Sequence, residues 1–257
     1  MILAIDSGNS HTVFGCVENG EVVGEVFRIA SDRSGTDYEY AAKMKQIFDL
    51  RGIDPSAFEG AVISCVVPPL TAVLSRAVEL LIGLKALVVG AGVKTGLHIA
   101  INDPGTVASD LVAAAVAAKE NYPLPCVIID MGTATTLTVV DEKGRYVGGA
   151  ILPGVGLSLA ALSAGTALRP HVEIQPPRSV IAANTVDSMK SGIVYGTAGS
   201  LDGLLDRVEE SLGMPPASIV ATGGMSRLIC PFCRHSVTLD ETLLLRGLWL
   251  IWQKNAS

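Results

Sequence analysis

The sequence predicts an α/β protein made of two similar lobes, each with a mixed sheet flanked by helices, and a cleft between the lobes. Short apolar runs rich in β-branched residues alternate with helical stretches along the whole chain. The pattern apolar–Asp–x–Gly–polar occurs twice, at residues 5–10 and 129–134. Each copy closes an apolar strand and opens a hairpin, which predicts lobes at residues 1–122 and 123–257.

The elements of both lobes follow from local patterns. In the first lobe we expect strands at 2–6, 12–17, 22–29, 60–67 and 86–89, with helices at 38–50, 68–81 and 111–118. Asn19-Gly20 predicts a hairpin turn, and Pro68-Pro69 predicts a helix start. In the second lobe we expect strands at 126–130, 135–141, 146–151 and 218–222, with helices at 157–163, 186–212 and 242–254.

Composition argues against several classes of function. The 257 residues carry 19 Lys and Arg against 25 Asp and Glu, a net charge of −6, and no basic run. A protein that follows a nucleic-acid backbone needs a basic stripe, so we expect no nucleic-acid partner. Residues 146–168 are uncharged, but the glycines and prolines at their start are typical of turns, so we expect no membrane span. Asp6 interrupts the first apolar run, which argues against a signal peptide and favours a cytoplasmic protein.

Five cysteines lie mostly in apolar runs, which indicates buried, reduced thiols. Cys230 and Cys233 form the one CxxC pair, with His235 nearby. No second half of a zinc site is visible, so an incidental pair is favoured over a metal or redox site. Hydrophobic residues make up 49% of the chain, and the mean hydropathy of +0.46 fits burial in a core or between subunits.

Two glycine turns offer the means to hold a polyphosphate. The first comprises Asp6, Ser7, Gly8, Asn9, Ser10, His11, Thr12 and Val13. Its backbone N–H groups and hydroxyls suit an anion, and Asp6 suits Mg²⁺ directly or through water. The second, at 130–136, contains Asp130 and Thr133. The alternative for each is an ordinary hairpin turn whose Asp hydrogen-bonds its own backbone.

Two further segments have both a structural and a functional interpretation. Gly223 and Gly224 end an apolar strand, which permits close approach of adenosine or simply marks a strand–helix turn. Asp110 lies where a helix begins, so it is either an N-cap or a base that takes a proton from an alcohol, and the two roles are compatible. The sequence has neither a GxxxxGK[ST] motif nor a protein-kinase signature.

Together with segments 63–68, 103–110, 148–154, 184–196 and 245–248, these motifs resemble type III pantothenate kinases, within the acetate kinase/sugar kinase/actin-like superfamily, over nearly the whole chain. The resemblance implies actin-like (ribonuclease H-like) lobes and ATP-dependent phosphorylation of pantothenate to 4′-phosphopantothenate, the first step of coenzyme A biosynthesis. It also implies Mg²⁺, a monovalent cation (K⁺ or NH₄⁺) and a homodimer.

The resemblance also implies roles for individual residues. Asp110 would be the general base, and Asp130 would hold the monovalent cation. ATP would be bound by residues 6–13, Thr133, Gly223 and Gly224. The acceptor would be bound by Asn9, Ile101, Ala108, Ser109, Asp110 and Leu111, and by Thr185 from the partner subunit.

The chain departs from the family at two positions of the acceptor pocket. Ile101 stands where the family usually has Tyr, and Leu111 where it has Arg, and both family residues help to hold the pantothenate carboxylate. Losing such a charge-assisted contact costs about 1.5–3 kcal/mol. The departures leave open a different hydroxylated acceptor, a non-catalytic nucleotide-binding homologue, or an ATP-hydrolysing relative. Arg169, Arg178 and Lys94 are candidates, by charge alone, to replace the missing Arg.

Overall fold

The computed structural model describes residues 1–165 and 172–256. Its strands are β1 (Ile2–Ser7), β2 (His11–Glu18), β3 (Glu21–Ala30), β4 (Gly60–Cys65), β5 (Leu87–Val88), β6 (His98–Ile99), β7 (Cys126–Met131), β8 (Ala134–Val140), β9 (Arg145–Pro153), β10 (Ser218–Thr222) and β11 (Thr238–Leu239). Its helices are α1 (Asp37–Arg51), α2 (Pro68–Ile82), α3 (Ser109–Asn121), α4 (Val155–Gly165), α5 (Thr185–Leu212), α6 (Ser226–Ile229) and α7 (Leu243–Asn255). Two compact units result, one of residues 1–121 with 242–256 and one of residues 122–241.

The sheet of the first unit has the strand order β3-β2-β1-β4-β5. β1, β2 and β3 form an antiparallel meander, whereas β4 and β5 run parallel to β1. Asn19 and Gly20 both have positive φ, as the hairpin between β2 and β3 requires. This confirms the predicted meander and its turn.

Helices cover both faces of this sheet, because successive residues of β1 point to opposite sides. Leu3 and Ile5 pack in one core with α1 and α2, and Ile2 and Ala4 pack in another with α3 and α7. α1 begins with a full capping box between Thr36 and Glu39. The central strand is therefore buried on both faces, which fixes where its carboxyl end lies.

The C-terminal helix α7 belongs to the first unit, although the sequence division at residue 122 assigned it to the second lobe. The reason is local packing. Gly247 lies directly against the backbone carbonyl of Ala113, where a Cβ would clash, so α7 and α3 approach closely. Leu245 and Leu248 then fill the core beneath them.

The second unit repeats the first. Its strands follow the order β11-β10-β7-β8-β9, again an antiparallel meander with two parallel strands beside the central one. Val127 and Ile129 of β7 pack with Val194, Ala198 and other residues of α5. The internal repeat expected from the two Asp-x-Gly patterns is therefore present in the fold.

The remaining differences from the sequence prediction are small. β6, β11 and α6 were not predicted, because two to four residues show no readable periodicity. α3 begins at Ser109 rather than at 111, so Asp110 is its second residue and not its N-cap. Within residues 1–165 and 172–256, no helix combines the length and the apolar character needed to cross a bilayer.

Candidate active site

The first glycine turn is held in shape by buried hydroxyl groups. Ser7 and Thr12 are paired at the mouth of the β1–β2 hairpin, and their hydroxyl oxygens lie 2.9 Å apart. Thr12 Oγ1 lies 2.9 Å from Ser31 Oγ as well. Both Ser7 and Thr12 are fully buried, whereas Asn9, Ser10 and His11 are exposed. The exposed side chains and the turn backbone are thus the parts of this loop that can reach a ligand.

A short chain of contacts joins this turn to Asp110. Asp6 at the end of β1 is directly opposite Ser64 of the parallel strand β4. Ser64 Oγ lies 2.9 Å from Ser109 Oγ, and Ser109 precedes Asp110 in the first turn of α3. The sheet therefore brings the predicted magnesium-binding carboxylate and the predicted base to the same edge of one unit.

Asp110 has the environment expected of a carboxylate that accepts a proton. Burial raises the pKa of Asp110 above its ordinary value, while the Leu111 N–H, 2.8 Å from Asp110 Oδ1, acts in the opposite direction. Its position in the first turn of α3 also places the carboxylate near helix N–H groups. A carboxylate with a raised pKa accepts a proton more readily than an exposed one, which suits general-base chemistry.

The other predicted acceptor residues lie in the same unit. All three aliphatic residues, Ile101, Ala108 and Leu111, are half-buried. Aliphatic side chains that precede and follow Asp110 in the sequence are therefore partly exposed to solvent. Lys94 lies away from Asp110. Gly96, two residues after Lys94, accepts a hydrogen bond through its carbonyl from Lys119, which is at the far end of α3. That end of the helix is about 13 Å from Asp110 at 1.5 Å per residue.

The second turn packs tightly against two glycines of its own unit. A Cβ on Gly223 would lie 2.6 Å from Asp130 Oδ1 and from the Met131 backbone, and Gly223 has a φ of +87°. A Cβ on Gly154 would clash with the carbonyl oxygen of Thr133. These contacts explain why glycine is needed at both positions, and they bring Asp130, Thr133 and Gly223 together.

The two turns differ in one respect. Four residues separate the paired Ser7 and Thr12, but three separate the paired Met131 and Thr135. With Met131 in place of a serine, the buried Thr135 hydroxyl finds no hydrogen-bond partner among the described residues. The second turn is therefore a shorter version of the first, without its internal hydroxyl pair.

Thr185 is the first residue of α5 and is exposed. Asn184 caps this helix, with its Oδ1 accepting from the Asp187 N–H at 2.9 Å. The fixed cap holds Thr185 at a defined surface position of the second unit.

Arg33 was missed by sequence reasoning. Its Nη2 lies 2.8 Å from Asn9 Oδ1, which places a guanidinium beside the first turn. The sequence shows one Arg in the polar segment 31–36, whose composition is typical of a surface turn and does not indicate a binding residue.

Other residues considered at the sequence level fall outside these two groups. Cys230 and Cys233 pack in the core of the second unit, and burial raises their pKa values to about 11 and about 12. No group of three metal-ligating side chains occurs among the residues that the structure describes. Arg169 lies outside those residues.

Two repeated sheets, each with a carboxylate and a glycine turn at the end of its central strand, give the chain an actin-like α/β fold. The chain belongs to the type III pantothenate kinase family, whose family model matches residues 2–207. A type III pantothenate kinase from Brevibacillus brevis is 41% identical over 259 residues, covering 100% of both chains.

Two solved structures support the fold at low sequence identity. A conserved protein of the Baf family of transcriptional activators from Campylobacter jejuni is 17% identical, with a TM-score of 0.61 over 99% of this chain and 98% of that one. An activator of 2-hydroxyisocaproyl-CoA dehydratase from Clostridium difficile, solved with ADPNP bound, is 12% identical. Its TM-score is 0.59 over 99% of this chain and 96% of that one.

Proposed function

We propose that this chain transfers the γ-phosphoryl group of ATP to pantothenate, with Asp110 as general base. The hydroxyl proton of pantothenate passes to the Asp110 carboxylate, the hydroxyl oxygen forms the new bond to the γ-phosphorus, and ADP leaves. The observation that carries this proposal is the half-buried Asp110 carboxylate beside the Ser64–Ser109 pair. The full-length match to a type III pantothenate kinase does not favour a non-catalytic homologue.

The exposed part of the first turn is proposed to bind the phosphates. The Gly8 N–H donates to the His11 carbonyl at 2.9 Å and closes the turn, and Asn9, Ser10 and His11 offer exposed side chains to phosphate oxygens. Phosphoryl transfer needs mostly positioning and charge stabilisation, which such a turn supplies. The side chains of Ser7 and Thr12 support the turn from within, because both residues are fully buried.

The donor sets fit the two cations that the family implies. Mg²⁺ prefers a carboxylate plus phosphate and water oxygens, and Asp6 at the end of β1 supplies the carboxylate. Bound Mg²⁺ neutralises developing phosphate charge. Asp130, near the end of β7 as Asp6 is near the end of β1, is proposed to hold a monovalent cation through its carboxylate oxygens.

We propose a homodimer in which the second unit of one subunit contributes Thr185 to the acceptor pocket of the other. Large apolar side chains are exposed in this unit, with Ile181 85% and Ile151 75% accessible, and Leu157, Leu162 and Val180 also exposed. Such surface is typical of a subunit interface. The unpaired thiols of the five cysteines support a reducing location, which we propose is the cytoplasm.

The decisive experiment is an ATP-to-ADP assay with Mg²⁺ and K⁺, with and without pantothenate, and with 4′-phosphopantothenate identified by mass spectrometry. Product from the natural protein, formed about a hundredfold or more slowly by Asp110→Asn, would support the proposal. ATP binding without product would overturn the pantothenate assignment.

The shared site can be tested by mixing two inactive variants. Asp110→Asn and Thr185→Ala each impair every site of their own homodimer. Mixed dimers contain one site with both residues intact, so activity should return towards about a quarter of the natural level after subunit exchange. No recovery in mixtures that exchange subunits would contradict a contribution in trans.

A further inference from the structure

We propose that Arg33 is an oxyanion-binding residue of the first turn, which binds either an ATP phosphate or the acceptor carboxylate. This inference rests on the proposed function and adds to it a residue that lies outside the motifs named in the sequence analysis. The shared chemistry of both ligands is a negatively charged oxygen, for which the forked guanidinium of arginine is well suited.

The backbone on either side of Arg33 is firmly held. Ser31 N–H donates to the Ser10 carbonyl at 3.0 Å, which joins the segment to the first turn. Tyr40 Oη accepts from Asp32 N–H at 2.8 Å and lies 3.1 Å from the Asp32 carbonyl. Gly35 packs against the Tyr40 ring, where a Cβ would lie 2.9 Å from it. Arg33 is thus displayed by an ordered turn rather than by a loose loop.

The contact with Asn9 orients both side chains. Asn9 Oδ1 accepts from Arg33 Nη2 at 2.8 Å, so the Asn9 amide nitrogen faces away from the guanidinium. That nitrogen carries two donors, and Arg33 keeps four of its five. The pair therefore presents N–H donors and a positive charge beside the turn proposed to bind phosphate.

The charge of Arg33 is not neutralised by an acid. No carboxylate among the described residues lies within 4.0 Å of its guanidinium, whereas Arg51, Arg76 and Arg227 each pair with a glutamate. The adjacent Asp32 turns its Oδ1 to the Ser34 N–H at 3.0 Å and the Ser34 hydroxyl at 2.7 Å. Arg33 therefore has charge and donors available for a ligand.

The predicted acceptor residues lack a positive charge that Arg33 could supply. Leu111 and Ile101 supply no charge or hydrogen bond to a carboxylate, and Lys94 lies towards the far end of α3. Within the first unit, Arg33 is a cation hydrogen-bonded to Asn9 of the first turn, and Asn9 is a proposed acceptor ligand. Arg33 can compensate for the Arg that the family usually has at position 111, or it can strengthen the binding of ATP.

The test compares Arg33→Met and Arg33→Lys with Arg76→Met, which removes an exposed arginine of α2. KM and kcat are measured for ATP, for pantothenate, and for the neutral analogue whose carboxylate is replaced by CH₂OH. Binding of ATP and pantothenate is also titrated directly. Arg33→Met should raise the KM of one anionic ligand by about tenfold or more, with kcat within about twofold and partial rescue by lysine. Arg76→Met should change neither KM nor kcat.

The pattern of KM values identifies the ligand. A rise for pantothenate but not for its neutral analogue assigns the carboxylate, and a rise for ATP with both acceptors assigns the phosphate. KM and binding constants within twofold of the natural protein for all ligands would overturn the inference. If the natural protein forms no phosphopantothenate, the proposed function fails, and the titrations still decide the role of Arg33.

Discussion

Ser64 and Ser109 place their hydroxyl oxygens 2.9 Å apart and so tie strand β4 to the first turn of α3. Ser64 is opposite Asp6 in the parallel register, and Ser109 is followed by Asp110. One hydrogen bond therefore connects the pair of strands that carries Asp6 to the helix that carries Asp110. This contact therefore adds to the apolar packing of α3 in fixing the position of Asp110 relative to the sheet.

Removal of the Ser109 hydroxyl should disturb this position. Ser109→Ala leaves the fully buried Ser64 hydroxyl without its partner, which costs about 1–3 kcal/mol in the free energy of unfolding. We expect kcat to fall severalfold, while the KM for ATP changes little. Ser75→Ala is the matched control, because the Ser75 hydroxyl donates to the Thr71 carbonyl of its own helix. Equal kcat in both variants would contradict a role in positioning Asp110.

Asp110→Asn should abolish most of the activity without abolishing ATP binding. Asparagine keeps the shape of the side chain but cannot accept the hydroxyl proton, so kcat should fall by about 10²–10⁴-fold. Steady-state kinetics and nucleotide titration measure the two effects separately. Asp49→Asn removes an exposed carboxylate of α1 and should leave kcat unchanged. A kcat for Asp110→Asn within tenfold of the natural value would exclude Asp110 as the base.

The pH dependence of the rate follows from the raised pKa of Asp110. The base acts in its ionised form, so kcat/KM should fall as the pH drops through a pKa above the ordinary value of about 3.9. The low-pH limb should be absent from the residual activity of Asp110→Asn. A limb that persists unchanged in this variant would assign it to another group.

The same carboxylate should reduce the stability of the folded protein at neutral pH. Burial raises the pKa of Asp110, so between its unfolded and folded pKa values the folded state binds more protons than the unfolded state. The free energy of unfolding therefore decreases as the pH rises through this window. Asp110→Asn should raise Tm at pH 7, and the gain should shrink towards pH 4. A Tm difference that does not vary with pH would contradict this linkage.

The sequence predicted the parts of the site that depend on local patterns. Both glycine turns follow apolar strands, and the structure confirms the hairpins at Gly8 and Gly132. The proximity of Arg33 to Asn9 could not be predicted, because it depends on the register of β3 and on the Tyr40 hydroxyl. The placement of α7 was also beyond the sequence, since an amphipathic pattern does not say which sheet a helix covers.

Gly223 allows the close approach of β10 to the second turn. Substituting Gly223 separates the cost of left-handed backbone strain from the cost of losing this close contact. Gly223→Ala places a Cβ at a φ of +87° and 2.6 Å from both Asp130 Oδ1 and the Met131 backbone. Gly213→Ala is the matched control, because its φ is +71° but its Cβ would meet nothing within 4 Å. The control should lose only about 1–2 kcal/mol of stability from left-handed backbone strain.

Gly223→Ala should lose more stability than the control, and only this variant should shift the turn that carries Asp130. We expect its KM for ATP and its K⁺ requirement to rise, while both stay unchanged in Gly213→Ala. Chemical denaturation gives the two stability losses, and kinetics over a range of K⁺ concentrations gives the effect on the site. Equal losses in the two variants, with unchanged KM and K⁺ requirement, would show that the contact with Asp130 does not matter.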